Sequence, residues 1–227
     1  MIHKKKAPDI DTVLFDFDGT VMDTNEVILK SWQHTFRTLE NREEKQEILV
    51  STFGEPLETT MKKFFPDVPV DEAVEIYRSY HYDNFGELIR LFPGMKELLA
   101  KVKAGGYKTG LVTSRLFKTT MQGLEHYEIK DYFDAIVTAE DTDRHKPDPQ
   151  PINVALQKLG SAPETSIMLG DTAFDLMCAK NAGVRSVLVA WSLALDHSAA
   201  EDMGDAAPDY VITEPEELLE IILAGHM

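Results

Sequence analysis

The sequence predicts an α/β protein in which a Rossmann-like parallel-sheet core carries a small all-helical domain after its first strand. Two observations predict the core: short apolar runs alternate with helical segments from residue 95 onward, and several of these runs end in polar residues. Strands that alternate with helices form βαβ units, a parallel sheet and right-handed crossovers. A third observation predicts the insert, because apolar residues in the stretch 24–90 recur at helical spacing and no strand is convincing there.

The individual elements follow from periodicity and from helix breakers. In the insert, helical spacing predicts helices over 27–39, 61–65 and 73–85, with a Gly-Glu-Pro turn between the first two. In the core, helices are predicted over 95–104, 116–124, 151–159, 174–181 and 218–223, alternating with strands over 107–112, 133–137, 166–169, 186–189 and 210–213. Residues 1–22 and 91–227 are therefore assigned to the core, and residues 23–90 to a helical cap. The stretch 191–209 is interpreted as a surface connection.

The first strand of the core is the apolar run over residues 12–15, which stops on Asp16 and Asp18. Unpaired carboxylates at the edge of a core are costly, so this ending indicates that the two charges have a function. Gly19 allows the chain to turn sharply behind them. In an open α/β sheet, ligands bind at the carboxyl ends of the strands. The alternative for these residues taken alone is an Asp-Gly turn with solvated side chains.

Polar residues also follow three later strands of the core. Thr113 and Ser114 follow the strand over 107–112, where hydroxyls and free helix amides suit an anion, although a helix cap is the simpler interpretation. Lys146 precedes a proline, which stiffens its loop. A lysine held in this way can serve as a fixed cation for phosphate and for neighbouring aspartates, although most loop lysines are solvated. Asp171 and Asp175 follow the strand over 166–169. The alternative is that Asp171 only caps the next helix and that Asp175 is only a first-turn acid favoured by the helix dipole.

Four carboxylates are thus predicted at one edge of one sheet: Asp16, Asp18, Asp171 and Asp175. So much negative charge in one place requires a cation. A small number of hard oxygen ligands suits Mg²⁺ with several retained waters, rather than zinc.

Composition limits the class of partner and the compartment. The net charge of −16, from 39 acidic and 23 basic residues, argues against nucleic acid and anionic membranes as partners. A phosphorylated substrate would therefore need local cations. Cys178 is the single cysteine and cannot form an internal disulfide. The basic first eight residues precede no apolar segment of signal-peptide length, so a cytoplasmic protein is predicted.

Taken together, these residues resemble the four motifs of the haloacid dehalogenase (HAD) superfamily. The motifs occur in order, with the spacing of that family, as Asp16-Phe17-Asp18-Gly19-Thr20, then Thr113, then Lys146-Pro147, then Gly170-Asp171 with Asp175. The helical insert resembles the small cap of phosphoglycolate phosphatase-like members. Lys146-Pro147-Asp148-Pro149 and Ala190-Trp191 resemble phosphoglycolate phosphatases and the related bacterial pyrophosphatases.

The resemblance implies a catalytic pair. Asp16 would be the nucleophile that forms an aspartyl-phosphate, and Asp18 would protonate the leaving oxygen and then deprotonate the hydrolytic water. The implied ligands of Mg²⁺ are Asp16, Asp171 and the backbone carbonyl of Asp18. Asp175 would support the site by orienting Lys146 or a metal-bound water.

The remaining implied roles concern the phosphoryl group and the substrate. Thr113, Ser114, Lys146, Gly19 and Thr20 would bind the phosphoryl group. The cap turn Gly54-Glu55-Pro56 resembles the substrate-selecting loop of the family. Glu55 is unexpected beside an anionic leaving group such as glycolate; it could face solvent, pair with Arg115 or Lys118, or favour a substrate that bears an amine.

The predicted function is Mg²⁺-dependent hydrolysis of a small phosphate monoester, phosphoglycolate-like, or of pyrophosphate. Asp18 favours phosphoryl chemistry, because the dehalogenases of the superfamily lack this second aspartate. A sugar-phosphate mutase resembling β-phosphoglucomutase is an alternative, but Ile28 stands where a mutase carries a cap histidine. A non-catalytic binding protein is a second alternative, although its first or fourth motif would normally be broken. The predicted partner is a small phosphorylated metabolite or pyrophosphate, and the chain would be a monomer or homodimer.

Overall fold

A six-stranded parallel sheet forms the centre of the molecule. The computed structural model describes residues 9–193 and 204–224. The strands are β1 (Thr12–Phe15), β4 (Lys108–Val112), β5 (Ala135–Val137), β6 (Ser166–Gly170), β7 (Arg185–Val189) and β8 (Tyr210–Ile212). Their spatial order is β5-β4-β1-β6-β7-β8, and each neighbouring pair is parallel. The first strand therefore lies in the middle of the sheet, between β4 and β6.

Helices cover both faces of this sheet, which is why β1 is buried throughout and apolar from Val13 to Phe15. Val13 and Phe15 belong to one buried cluster with the apolar sides of α5 (Met95–Ala104), α6 (Phe117–His126) and α9 (Glu217–Ala224). Leu14 belongs to another cluster, with α7 (Gln150–Leu159) and α8 (Ala173–Ala182). A strand that is buried on both faces has no polar side, as expected for a parallel sheet.

A helical insert leaves the sheet directly after β1. A two-residue ribbon of β2 (Met22–Asp23) and β3 (Arg90–Leu91) forms its base, with antiparallel pairing. Between them lie α1 (Asn25–Glu40), α2 (Gln46–Val50), α3 (Leu57–Phe64) and α4 (Val70–Leu88). These helices enclose an apolar cluster of their own, formed by Trp32, Phe36, Leu49, Met61, Phe65, Ala73, Val74 and Tyr77.

The α/β class, the parallel sheet and the helical insert are confirmed. The expectation of no strand between residues 24 and 90 is wrong at its end, because Arg90 pairs with Asp23. The short helix α2 begins inside a charged stretch that carried no helical prediction. The division at residues 22/23 and 90/91 into a core and a cap domain stays a prediction, and residues 194–203 of the predicted surface connection lie outside the described residues. No helix in the described ranges is both long and apolar enough to cross a membrane.

Candidate active site

The sheet order brings the predicted site residues to one edge. Because β4, β1 and β6 are neighbours, the residues that follow them, Thr113, Asp16 and Asp171, lie side by side at the carboxyl ends of the strands. The amide of Asp16 still donates to the carbonyl of Leu169 at 2.9 Å, so the sheet pairing continues up to the first carboxylate. Lys146 enters from the loop between β5 and α7. These residues line a cavity of ≈ 250 Å³ that also contacts the insert.

A buried lysine links two of the carboxylates. Lys146 Nζ donates to Asp16 Oδ1 at 2.7 Å and to Asp175 Oδ1 at 2.6 Å. All three side chains are almost fully buried, with at most 9% of each exposed. Such a cluster is stable only if its charges are paired and hydrogen-bonded. Lys146 therefore holds Asp16 in place at the floor of the cavity.

The start of α8 orients Asp175. Thr172 caps this helix, and its hydroxyl and amide both donate to Asp175 Oδ2, at 2.7 and 3.1 Å, in a capping box. Both oxygens of Asp175 are thus engaged, one by the cap and one by Lys146. This arrangement fits the predicted supporting role, in which Asp175 orients Lys146.

Three carboxylates could hold a metal ion. One oxygen each of Asp16, Asp171 and Asp175 lies within 4.8 Å of the others, and all three residues are buried. The Ser192 hydroxyl donates to Asp171 Oδ2 at 2.6 Å and orients this carboxylate. Oxygen donors alone, with no sulfur or imidazole in the group, suit a hard divalent cation.

The electrostatics of the cluster favour a cation. Burial raises the pKa of Asp16 to about 7, and the charges of Asp175 and Asp18 add to this, although Lys146 acts in the opposite direction. Burial, followed by the charges of Asp175 and Asp16, also raises the pKa of Asp171 well above its usual value. Burial opposes the charge on Lys146, but Asp16 and Asp175 outweigh it and raise the lysine pKa. The single ammonium does not neutralise all of these carboxylates.

Gly19 is required by the approach of Asp171. Its φ is +72°, and a Cβ at this position would lie 1.9 Å from Asp171 Oδ2. Any other residue would therefore displace a carboxylate of the cluster. Thr20 differs from the other predicted phosphate-binding residues, because its side chain is fully buried and does not line the cavity. Its hydroxyl oxygen is buried with no hydrogen-bond partner in the described part of the chain.

Asp18 has partners that sequence reasoning missed. Arg115 binds both of its oxygens, with Nη2–Oδ1 at 2.5 Å and Nε–Oδ2 at 3.0 Å. Thr24 is the N-cap residue of α1, but its hydroxyl makes no capping bond and donates to Asp18 Oδ1 at 2.5 Å. Burial acts to raise the pKa of Asp18, but the charge and hydrogen bonds of Arg115 and the bond from Thr24 outweigh it and lower the pKa.

His81, on α4 of the insert, also contacts Arg115. Its Nε2 lies 2.8 Å from Arg115 Nη1, and its Nδ1 lies 3.3 Å from the Ser31 hydroxyl. Because that hydroxyl donates to the Val27 carbonyl at 2.6 Å, it accepts from Nδ1–H, which leaves Nε2 to accept from Arg115. Burial and the neighbouring Arg115 charge lower the pKa of His81 to about 3, although Asp18 opposes them.

The cap turn lies where the sequence predicted it, but Glu55 has a different partner. Gly54, Glu55 and Pro56 all line the cavity. Glu55 pairs with Lys63 and accepts a hydrogen bond from Thr60 at 2.7 Å, so the structure does not show the pairing with Arg115 or Lys118 that was one of the three alternatives for this residue. Gly54 touches the opposite wall, since a Cβ there would lie 2.9 Å from the Phe174 ring.

Comparison with known families agrees with this geometry. The family model described as haloacid dehalogenase-like hydrolase matches residues 13–189, which contain every strand that contributes to the site. The chain belongs to this family. The predicted membership and the prediction of a hydrolase are thereby confirmed. In this chain, the helical insert after the first strand contributes Gly54, Glu55 and His81 to the cavity lining.

Three relatives define the similarity more closely. The chain is 35% identical over 212 residues to the pyrophosphatase PpaX of Bacillus velezensis, covering 93% of this chain and 96% of the relative. It is 34% identical over 213 residues to the pyrophosphatase PpaX of Bacillus cereus, covering 94% and 96%. Among solved structures, a haloacid dehalogenase-like family hydrolase of Streptococcus pneumoniae matches with a TM-score of 0.84 and 28% identity, over 93% of this chain and 98% of that one.

The buried neutral His81 generates a prediction about pH. Its folded-state pKa is lowered to about 3, so between about pH 6.5 and pH 3 the unfolded chain binds a proton that the folded protein does not. The free energy of unfolding should therefore fall by about 1.4 kcal/mol per pH unit below pH 6.5 on account of His81. The groups that face the imidazole are Arg115, Asp18 and Tyr77.

Urea unfolding at pH 7 and pH 5 checks this. Wild type should lose about 2 kcal/mol more than His81→Gln over that interval, since glutamine carries no titrating group. The same substitution at the exposed His126 is the matched control and should follow wild type. Equal losses in wild type and His81→Gln would contradict the assignment of His81 as a buried neutral group.

Proposed function

We propose that this HAD-like hydrolase is a Mg²⁺-dependent phosphatase that hydrolyses pyrophosphate, or a small phosphate monoester, through an aspartyl-phosphate intermediate. The observation that carries the proposal is the buried Asp16 carboxylate, held by Lys146 at the floor of a cavity of ≈ 250 Å³. A carboxylate that is fixed in this way can act as a nucleophile, because its position is set before the substrate arrives.

The proposed reaction has two steps. In the first, an oxygen of Asp16 attacks phosphorus, the bond from phosphorus to the leaving oxygen breaks, and Asp18 gives that oxygen a proton. In the second, Asp18 takes a proton from water, the water oxygen bonds to phosphorus, and the bond to Asp16 breaks to release phosphate. Asp18 lies two residues from Asp16 and lines the same cavity, as both roles require.

Three groups from the core would hold the transferring phosphoryl group. Lys146 supplies the fixed positive charge beside Asp16. Thr113 and Ser114 also line the cavity, and Ser114 is exposed. These donors would surround phosphorus during attack by Asp16, when charge is distributed over the phosphoryl oxygens. The role of Gly19 would be a backbone contact, since it has no side chain.

Asp16, Asp171 and the backbone carbonyl of Asp18 would hold Mg²⁺. The buried oxygen donors and the raised pKa values of Asp16 and Asp171 fit a divalent cation at this position. When bound, Mg²⁺ supplies neutralisation of the negative charge that builds up during phosphoryl transfer. Asp175 remains a supporting residue, because its two oxygens already bind Lys146 and the start of α8.

Pyrophosphate is the favoured substrate. Two relatives that are 34% and 35% identical to this chain over almost their whole length carry the name pyrophosphatase PpaX. The cavity is also small, which suits a compact substrate rather than a phosphoprotein. A mutase is disfavoured, because Ile28 lines the cavity where a mutase would carry its histidine. A small phosphate monoester is the second candidate.

The first prediction from this proposal concerns phosphate release. The purified protein should release phosphate from pyrophosphate or a small ester when Mg²⁺ is present and not when a chelator removes it. Asp16→Asn should lower the rate by at least about 10³-fold, because the amide cannot form the intermediate. Asp143→Asn, the same change at an exposed loop position, should behave as wild type. Turnover by Asp16→Asn at the wild-type rate would refute the assignment of the nucleophile.

The second prediction concerns stability and is independent of turnover. Asp171 is buried beside the carboxylates of Asp16 and Asp175, and burial and these two charges raise its pKa, so Asp171→Asn, which removes the carboxylate, should raise the melting temperature in chelator by about 2–4 °C. Mg²⁺ should raise the melting temperature of wild type, since a ligand that binds only the folded state stabilises it. This increase should be lost in Asp171→Asn and kept in Asp143→Asn. An equal response to Mg²⁺ in all three proteins would exclude Asp171 as a ligand.

A further inference from the structure

Arg115 is a buried cation in the cavity with no role in the mechanism described so far. Only 8% of its side chain is exposed, and both oxygens of Asp18 are bound to it. The guanidinium carbon lies 4.8 Å from the centre of the Phe85 ring and 5.5 Å from that of Phe17. One ring belongs to the insert and the other to the core, so the guanidinium is held where the two parts of the chain meet.

The cations around the cavity are not equivalent. Among the described residues that line it, the permanently charged cations are Lys146, Arg78 and Arg115. Lys146 is bound to Asp16 and Asp175, and Arg78 pairs with Glu58 at the outer side, where over a third of each side chain is exposed. Arg115 is thus the buried cation that is not committed to the nucleophile. In a chain with a net charge of −16, a substrate with two anionic groups needs such a second cation.

We propose that Arg115 is the specificity-determining residue for an anionic leaving group, and that it exchanges Asp18 for the non-transferred phosphate of pyrophosphate. His81 is its positioning residue. The assignment rests on the proposed function, because it takes Asp16 as the nucleophile and pyrophosphate as the substrate. Arg115 would contact substrate directly, whereas His81 would act through Arg115.

The geometry of the Asp18 contact supports the exchange. Arg115 binds this carboxylate through Nε and Nη2, the planar fork that also matches two oxygens of a phosphate group. A phosphate can therefore replace the carboxylate without a new arrangement of donors. Because both oxygens of Asp18 accept from Arg115, the exchange would also free Asp18 for proton transfer. A neutral leaving group would neither bind the guanidinium nor free Asp18.

His81 determines how Arg115 is held during such an exchange. Its Nε2 accepts from Nη1, the nitrogen that does not bind Asp18, so this bond need not break when the partner changes. The bond from Nδ1–H to Ser31 fixes the tautomer that makes Nε2 an acceptor. His81 thereby keeps the guanidinium plane in the cavity while Nε and Nη2 change partner.

The test compares two substrates that differ in the charge of the leaving group. We would measure kcat/KM for pyrophosphate and for ethyl phosphate in wild type, Arg115→Gln, Arg115→Lys and Lys118→Gln. In Arg115→Gln, the value for pyrophosphate should fall by about 100-fold, because a charge-assisted bond to the leaving phosphate is lost. The value for ethyl phosphate should fall at least tenfold less. Lys118→Gln removes the same charge from an exposed position outside the cavity lining and should behave as wild type.

Ethyl phosphate distinguishes leaving-group binding from an indirect effect on Asp18. Its alkoxide leaving group needs a proton more than phosphate does, so damage transmitted through Asp18 would slow ethyl phosphate at least as much as pyrophosphate. Equal falls for the two substrates would therefore overturn the assignment while leaving the proposed function intact. If wild type releases no phosphate from either substrate, the proposed function fails, and turnover of ethyl phosphate alone overturns only the role of Arg115.

Arg115→Lys protects the test against misfolding, and two variants of His81 examine the role of that residue. Arg115→Lys keeps the charge that balances Asp18 but loses the fork, so it should show the same preference in reduced form even if Arg115→Gln does not fold. His81→Phe should raise KM for pyrophosphate by about tenfold with a smaller change in kcat, and His81→Gln, which keeps an acceptor, should restore most of it. Similar effects of both His81 variants on ethyl phosphate would show that His81 has only a structural role.

Discussion

The Lys146 ammonium lies between the carboxylates of Asp16 and Asp175, and this shared, buried charge is the constraint on which the site depends. Removing the ammonium would leave two carboxylates buried beside a third, Asp171, with no cation. The surrounding structure serves to keep these charges paired: Thr172 binds the second oxygen of Asp175, and Ser192 binds Asp171. A carboxylate cluster with too little positive charge is unfavourable in the absence of a ligand, and the same shortage makes it a strong binding site for a cation.

The fold places a second charged pair, Arg115 with Asp18, in the cavity that Lys146 and Asp16 also line. The sheet positions Asp16 and Asp18 at the end of its central strand, and the helical insert follows that strand, with the ribbon of β2 and β3 at its base. This topology lets His81 of α4 reach Arg115 in the loop after β4, although 34 residues separate them. The cavity is thus bounded by Lys146 on the core side and by Arg115 where core and insert meet. Two cations that line one small cavity match a substrate with two anionic ends.

The parts of the site that could be predicted from the sequence are those in which local pattern and chemistry coincide. Asp16 and Asp171 each follow an apolar run that predicts a buried strand, so the sequence pattern predicts their position at the edge of the sheet. Lys146 could be singled out because the proline after it stiffens its loop. The spacing of Thr172 and Asp175 is that of a capping box, which is typical of a helix N-terminus. In each case the signal lies within a few residues of the functional group.

The parts that were missed depend on contacts between distant segments. Arg115 stood in the sequence as a neighbour of Thr113, and nothing local indicates that it pairs with Asp18, 97 residues earlier. Pairing with Arg115 or Lys118 was one of three alternatives for Glu55, but the carboxylate binds Lys63, which lies eight residues away on the next helix. The ribbon of Met22–Asp23 and Arg90–Leu91 is too short for any periodicity to reveal.

The pairing of Arg115 with Asp18 also bears on how an acidic protein admits an anion. A free guanidinium in the cavity would attract any small anion, and a free Asp18 beside Asp16 would repel the substrate. Paired with each other, they present little net charge to an approaching molecule. Only a ligand that offers the guanidinium a geometry at least as good as that of a carboxylate can separate them, and a phosphate group with two accessible oxygens does so. The same contact that balances the charges of Arg115 and Asp18 would thus select for a doubly anionic substrate, with Lys146 meeting the phosphoryl group that is transferred and Arg115 meeting the one that leaves.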